Sequence, residues 1–157
     1  MIVLMRHGES TWNAAGRMQY QNPQPPLTPR GRDQVTAAAA VLAGLVGSVI
    51  TSPATRARQS AQIIADVLAL PLVEDPRLVE LGRGESLDTL SRRVLAVVDD
   101  VRATGPERPV LLVTHGDVIA HAARLLADVP LPLPTNASAV RLVPREGTPA
   151  WALDALC

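Results

Sequence analysis

The sequence predicts an α/β fold: a three-layer α/β/α sandwich around a mainly parallel central sheet. Two observations carry that expectation. Short apolar runs, Ile2–Met5, Val49–Ile50 and Pro109–Val113, alternate with segments of helical period. Such alternation implies crossover connections and helices on both faces of a sheet. Each run also ends directly in polar or charged residues, Arg6-His7-Gly8, Thr51-Ser52 and Thr114-His115-Gly116. In a parallel sheet those ends share one edge, where ligands bind.

The opening run has no polar approach, so it reads as a buried strand entering a reactive loop. It begins at residue 2, and on this reading no leader precedes it. From Thr11 to Pro26 there is no apolar period, and Pro23, Pro25 and Pro26 oppose a helix, which predicts a functional loop of about 20 residues. Thr28-Pro29 supplies an N-cap and a first-turn proline for a helix through Ala37–Ala40 to about Leu45. Ser48–Thr51 is a second strand. After Ser52-Pro53, the positions Ala57, Ala61, Ile64, Ala65 and Leu68 form one helical face, with Arg56 in the first turn. Leu72–Glu74 is a short third strand. Arg77–Ser86 is a loop holding Glu80, Gly82, Gly84 and Glu85. Leu90, Val94, Val97, Val98 and Val101 mark a helix stopped at Gly105-Pro106. Pro109–Val113 is the clearest buried strand, followed by a helix from about Asp117 to Leu126. Ala139–Val143 and Trp151–Leu153 are read as edge strands. Nothing in the pattern asks for a second domain, so residues 1–157 are expected to form one.

Composition narrows the function classes. The chain is 47% hydrophobic but 2% aromatic, with no Phe, so the core is built from Ala, Val, Leu and Ile. Fifteen basic and 15 acidic residues cancel, which gives no field inviting nucleic acid or a membrane surface. All the basic residues are Arg, whose forks suit phosphate but also follow from coding bias. A single cysteine, Cys157, excludes an intrachain disulfide and disfavours a cysteine metal site. With no signal peptide pattern and no apolar run near 18 residues, a cytoplasmic protein is expected.

Two histidines and two arginines, His7, His115, Arg6 and Arg56, are delivered to the same edge. The helices after the second and fourth strands direct their N-termini there, adding free N–H groups and a dipole favourable to anions. Gly8 and Gly116 lack side chains that would obstruct a tetrahedral anion. A neutral imidazole is a competent nucleophile toward phosphorus, and arginines neutralise and orient the transferring group. Two-step hydrolysis also requires a proton donor, for which Glu80 and Glu85 are the candidates. His121, Arg30, Arg32 and Arg58 fall outside these motifs and read as packing or solvated residues. Trp12 and Tyr20 either wall the substrate or pack the loop.

The set Arg6-His7-Gly8-Glu9-Ser10, Leu27-Thr28-x-x-Gly31, Ser52-Pro53-x-x-Arg56-Ala57-x-Gln59-Ser60-Ala61 and His115-Gly116 resembles the histidine phosphatase superfamily, the phosphoglycerate-mutase-like proteins, in family order across nearly the whole chain. The resemblance implies that His7 is the phosphorylated nucleophile and that Arg6, Arg56 and His115 bind the phosphoryl group. It implies that Ser10 and Asn13 touch substrate or phosphate, and that neither metal nor cofactor is needed. Leu78-Val79-Glu80 reproduces the context of the family's acidic donor. The usual helical insertion before Gly84-Glu85-Ser86 is missing, so a capless, open site is expected. Tyr20 replaces a common glycine, and Gln24 a common aspartate.

The leading expectation is a metal-independent phosphatase acting on a phosphomonoester through phosphohistidine at His7. The alternatives are a protein phosphohistidine phosphatase, a phosphoglycerate mutase, and a non-catalytic module that binds a phosphorylated partner. The expected partner is a phosphorylated small molecule or phosphoprotein.

Overall fold

The computed structural model describes residues 1–157. In chain order the elements are β1 (Ile2–Arg6), α1 (Thr11–Ala14), α2 (Pro29–Leu42), β2 (Ser48–Thr51), α3 (Thr55–Leu68), β3 (Leu72–Glu74), a 3-10 turn at Pro76–Leu78, α4 (Leu87–Thr104), β4 (Val110–Thr114), α5 (Gly116–Ala127), β5 (Ala139–Pro144) and β6 (Trp151–Ala155). One six-stranded sheet has the order β3-β2-β4-β1-β5-β6. Its first four strands are parallel, and β5 and β6 are antiparallel additions.

The central strands are apolar throughout because both their faces are covered. Ile2 and Leu4 of β1, with Val110 and Leu112 of β4, pack under α4 and α5. The alternate residues Val3, Met5, Leu111 and Val113 pack against α2 and α3. A one-residue slip of either strand would exchange these sets. Burying each Val or Leu contributes about 1.5–3 kcal/mol, and the near absence of aromatics spreads the core over many small aliphatic side chains.

The register places the functional residues. Arg6 is paired with Thr114, and Thr51 with Val113, so β1, β4 and β2 end side by side. The chain leaves β1 and β2 toward the α2/α3 layer and leaves β4 toward α5. The crevice opens where those directions diverge.

Three expectations need correction. Thr11–Ala14 is helical rather than loop: it has no buried residue, and a capping box between Ser10 and Asn13 holds it where apolar periodicity could not. Helix α2 ends at Leu42, not Leu45, because Gly44 turns left-handed at φ +75°. Strand β5 is not an edge, since it lies between β1 and β6; the edges are β3 and β6.

Candidate active site

His7 leaves β1 and is 1% exposed. Its backbone N–H donates to Thr114 O at 3.1 Å, tying it to the end of β4. The ring Nδ1 lies 2.7 Å from Gly8 O. A carbonyl can only accept, so Nδ1 carries the proton and Nε2 the free lone pair. Burial and the charges of Arg56 and Arg6 push the His7 pKa down to about 3, against the Gly8 contact that raises it. The ring is therefore neutral at physiological pH.

His115 ends β4 and is fully buried. Its Nε2 lies 2.9 Å from Ser52 Oγ, which also accepts from Ala54 N. With the Ser52 hydroxyl hydrogen directed at Nε2, the ring keeps its own proton on Nδ1. That Nδ1 is buried without a hydrogen-bond partner, 3.8 Å from Glu80 Oε2. Burial, then the nearby His7, Arg56 and Arg6, holds the His115 pKa well below the ordinary value.

Two guanidinium groups complete the set. Arg56 in the first turn of α3 has a fully buried side chain; it donates to Asn22 O at 2.8 Å, to Tyr20 O at 3.2 Å and to Glu80 Oε2 at 2.6 Å. Arg6 donates to Pro134 O at 2.6 Å. In both residues Nε is buried and unpartnered. Burial lowers both pKa values, while Glu80 and Asp117 oppose it. Three orphan donors, on Arg6, Arg56 and His115, thus surround one imidazole with a bare nitrogen. An unmade hydrogen bond of this kind costs about 1–3 kcal/mol, which an anion accepting from these donors would recover.

Glu80 follows the 3-10 turn, with its side chain 20% exposed. Burial pushes its carboxyl up to about 7, and Arg56 pulls the other way. Arg56 makes its opposing pull through a 2.6 Å contact with Glu80 Oε2. The rival acid, Glu85, lies against Arg93, whose hydrogen bonds hold it below the ordinary carboxylate range. That pairing commits Glu85 to the loop's own structure, and Ser86 is the helix cap.

The remaining expected residues fall as follows. Ser10 is buried, accepts from Asn13 N and donates to Gln19 Oε1; Asn13 Oδ1 accepts from Ser10 N and Asn136 Nδ2. These polar groups brace the loop after β1. Gly8 differs from its expected rationale: a Cβ there would stand 2.4 Å from Gly31 O and 2.8 Å from Val35 Cγ2, so the missing side chain admits helix α2 rather than an anion. Its N–H donates to Ser60 Oγ. At Gly116 a Cβ would stand 3.3 Å from Arg6 Nε and 3.5 Å from Leu133 Cδ2, so that glycine leaves room for the Arg6 guanidinium.

A cleft of about 240 Å³ opens over the site, lined by Tyr20, Gln21, Pro53, Arg56, Glu80 and His115 among others. Side chains of the two loops meet at its mouth. Gln21 Nε2 donates to Glu80 O at 3.0 Å, and the Arg83 guanidinium lies 5.0 Å from the Tyr20 ring centroid. Tyr20 adopts φ +47°, a left-handed conformation that explains why glycine suits its place. Trp12 instead stacks with Arg17 at 4.0 Å. Ser52, Ser60, Arg93 and Asp117 escaped the sequence reading. The first two stand inside a recognised motif, Asp117 directly follows His115-Gly116, and Arg93 lies on a helix with no motif of its own. No group of three or more His, Cys, Asp or Glu side chains converges as a metal site, and no helix is long and apolar enough to cross a membrane.

Comparison with known proteins agrees with this geometry. The profile of the histidine phosphatase superfamily (branch 1) matches residues 2–84 and 79–154. A probable phosphoglycerate mutase of Photorhabdus laumondii is 34% identical over 149 residues, covering 73% of this chain and 69% of its own. The structure of a mycobacterial hydrolase superposes with a TM-score of 0.87 at 27% identity, covering 98% of this chain and 95% of its own. A mycobacterial glucosyl-3-phosphoglycerate phosphatase does so with a TM-score of 0.85 at 26% identity, covering 98% and 96%. This chain belongs to branch 1 of the histidine phosphatase superfamily.

Proposed function

We propose that this protein is a metal-independent phosphatase that hydrolyses a phosphomonoester through a phosphohistidine on His7. The observation that carries the reading is the fixed tautomer of His7, with Nδ1–H given to Gly8 O and Nε2 left bare beside three orphan donors. The Nε2 lone pair forms the bond to phosphorus while the ester P–O bond breaks. Arg6, Arg56 and His115 Nδ1–H hold the phosphoryl oxygens, and Glu80 gives its proton to the departing oxygen. The Glu80 carboxylate then takes a proton from water as that water attacks phosphorus. The N–P bond breaks, releasing phosphate with His7 neutral and Glu80 again protonated.

A phosphate dianion would share Arg56 with Glu80. Its charge raises the carboxyl's proton affinity further, so Glu80 is loaded as an acid when substrate arrives. Ser10 and Asn13 brace the loop after His7 through the capping box. Intact-mass analysis after incubation with an aryl phosphate should show an acid-labile phosphoenzyme, absent in His7→Ala and undiminished by chelator. Turnover that survives His7→Ala would overturn the mechanism.

A mutase reading is favoured by the name of the Photorhabdus relative. A coupled assay of 3-phosphoglycerate isomerisation separates it: a mutase returns the phosphoryl group to substrate, and a phosphatase releases inorganic phosphate.

A further inference from the structure

The segment that presents Glu80 has no regular structure after Leu78 and no helical cap above it, yet its backbone is held at almost every step. Arg93, on the second turn of α4, does most of this. Its Nε donates to Glu85 Oε1 at 2.7 Å. One terminal nitrogen donates to Arg77 O at 2.7 Å and Val79 O at 2.6 Å. The other donates to Glu80 O at 3.2 Å and Glu85 Oε2 at 3.0 Å. All five N–H donors of the guanidinium are therefore used, three on carbonyls of the donor segment and two in a fork on Glu85. The pair is largely buried, with side chains 12% and 10% exposed.

Glu85 closes the loop from its other end, accepting from Gly82 N at 2.8 Å. Neighbouring groups finish the set: Thr114 Oγ1 donates to Leu78 O at 2.7 Å, Leu81 N donates to Asp117 Oδ2 at 2.8 Å, and Gln21 Nε2 shares Glu80 O at 3.0 Å. A flexible loop would let the Glu80 carboxyl wander from the leaving oxygen, and a misplacement of about 1 Å can cost on the order of 100-fold in rate.

We propose that Arg93, clasped by Glu85, is the positioning residue that holds the Glu80 carboxyl at the leaving-group oxygen in place of a cap. This rests on the phosphatase reading above. A lysine cannot substitute, because a single ammonium cannot span three carbonyls and a carboxylate fork.

Leaving-group dependence tests it. A good leaving group such as nitrophenolate departs without a proton; the alkoxide of glycerol 2-phosphate does not. Arg93→Met should lower kcat on glycerol 2-phosphate by roughly 10- to 100-fold, part of the ~10²–10⁴-fold that a general acid supplies, and change kcat on nitrophenyl phosphate less than about threefold. Glu80→Gln should show the same selectivity more strongly, and the double variant should be no worse than Glu80→Gln alone. Arg93→Lys should fail to rescue. Glu85→Gln, which leaves an oxygen acceptor in place, should reproduce the selectivity at smaller amplitude even where Arg93→Met folds poorly. Equal losses on both esters in these variants, or no loss, would overturn the clasp. If Glu80→Gln itself shows no leaving-group selectivity, or the wild type forms no phosphoenzyme, the parent reading fails instead.

Discussion

His7 and His115 meet edge to face, with ring centroids 5.2 Å apart and planes at 64°, and they hold their protons for opposite purposes. His7 gives Nδ1–H to Gly8 O and keeps a bare Nε2; His115 takes the Ser52 hydroxyl at Nε2 and keeps a free Nδ1–H. One ring is set to attack and the other to donate. Both are neutral, so neither repels the other at close range.

Ser52 should therefore control the His115 tautomer. Ser52→Ala removes the hydroxyl that occupies Nε2, and the ring becomes free to move its proton away from the phosphoryl site. A loss of about tenfold in kcat/KM is expected, equivalent to about 1.4 kcal/mol, which is the scale of one hydrogen bond. Nitrogen chemical shifts of the His115 ring should show the tautomer change, and Ser52→Thr should restore both. A full loss with unchanged shifts would assign Ser52 to packing alone.

The pH profile should be asymmetric. Glu80 titrates near 7, above the ordinary 4.5, so its acid form is lost as pH rises through 7. The kcat/KM for esters with poor leaving groups should then fall about tenfold per unit on the alkaline side. His7, at about 3 rather than 6.5, stays neutral far into acid, so no limb from the nucleophile should appear near 6.5. Stability follows the opposite pair of signs. Unfolded His7 binds a proton below 6.5 that the folded ring refuses, so stability is lost as pH falls from 6.5 toward 3. Folded Glu80 retains a proton between 4.5 and 7 that the unfolded chain has released, a contribution present below 4.5 and lost as pH rises through 7. Denaturant titrations of Glu80→Gln should show a steeper acid loss between 6.5 and 4.5 than wild type.

Gly8 and Gly116 separate packing from binding. A Cβ at Gly8 meets backbone at 2.4 Å, which cannot retreat. Gly8→Ala should cost about 1–3 kcal/mol or more as overpacking, and lower the melting temperature by roughly 2–12 °C for a chain of this size. At Gly116 the nearest atoms belong to the flexible Arg6 side chain at 3.3 Å. Gly116→Ala should leave the melting temperature nearly unchanged and raise KM, read by paired thermal and kinetic measurements.

These positions also show what could be read from one dimension. The strand ends were legible because an apolar run that stops at Arg6-His7 or Thr114-His115 reports burial and chemistry in adjacent residues. Helix α1 was not, because four residues without a buried face leave no period, and its stability comes from Ser10 and Asn13 capping one another. The reason for Gly8 was misread because its neighbour, Gly31, is contributed by a different element. Arg93 was invisible for the same cause: a guanidinium on an ordinary amphipathic helix acquires meaning only when the loop before it folds back onto all five donors.

The Arg56–Glu80 contact should behave as a stand-in for substrate. Arg56 is buried, and its acidic neighbour is Glu80, with Oε2 at 2.6 Å, while Asn22 O and Tyr20 O take two further donors. Above pH 7, where Glu80 is ionised, Glu80→Gln leaves that cation without a partner charge. Because Glu80 is partly exposed, the expected loss is about 1–3 kcal/mol, below that for breaking a fully buried pair. An anion that supplies the missing charge should restore it. Inorganic phosphate stabilises any folded state it binds by about 2.7 kcal/mol at 100 times its Kd. Glu80→Gln binds phosphate without first separating Arg56 from a carboxylate, so its gain in melting temperature at fixed phosphate should exceed that of wild type, although its turnover is lower. Chloride at equal ionic strength should not reproduce the gain. Equal phosphate increments in the two proteins would show that Glu80 and the phosphoryl group do not compete for Arg56, and would remove the basis for loading the acid on substrate binding.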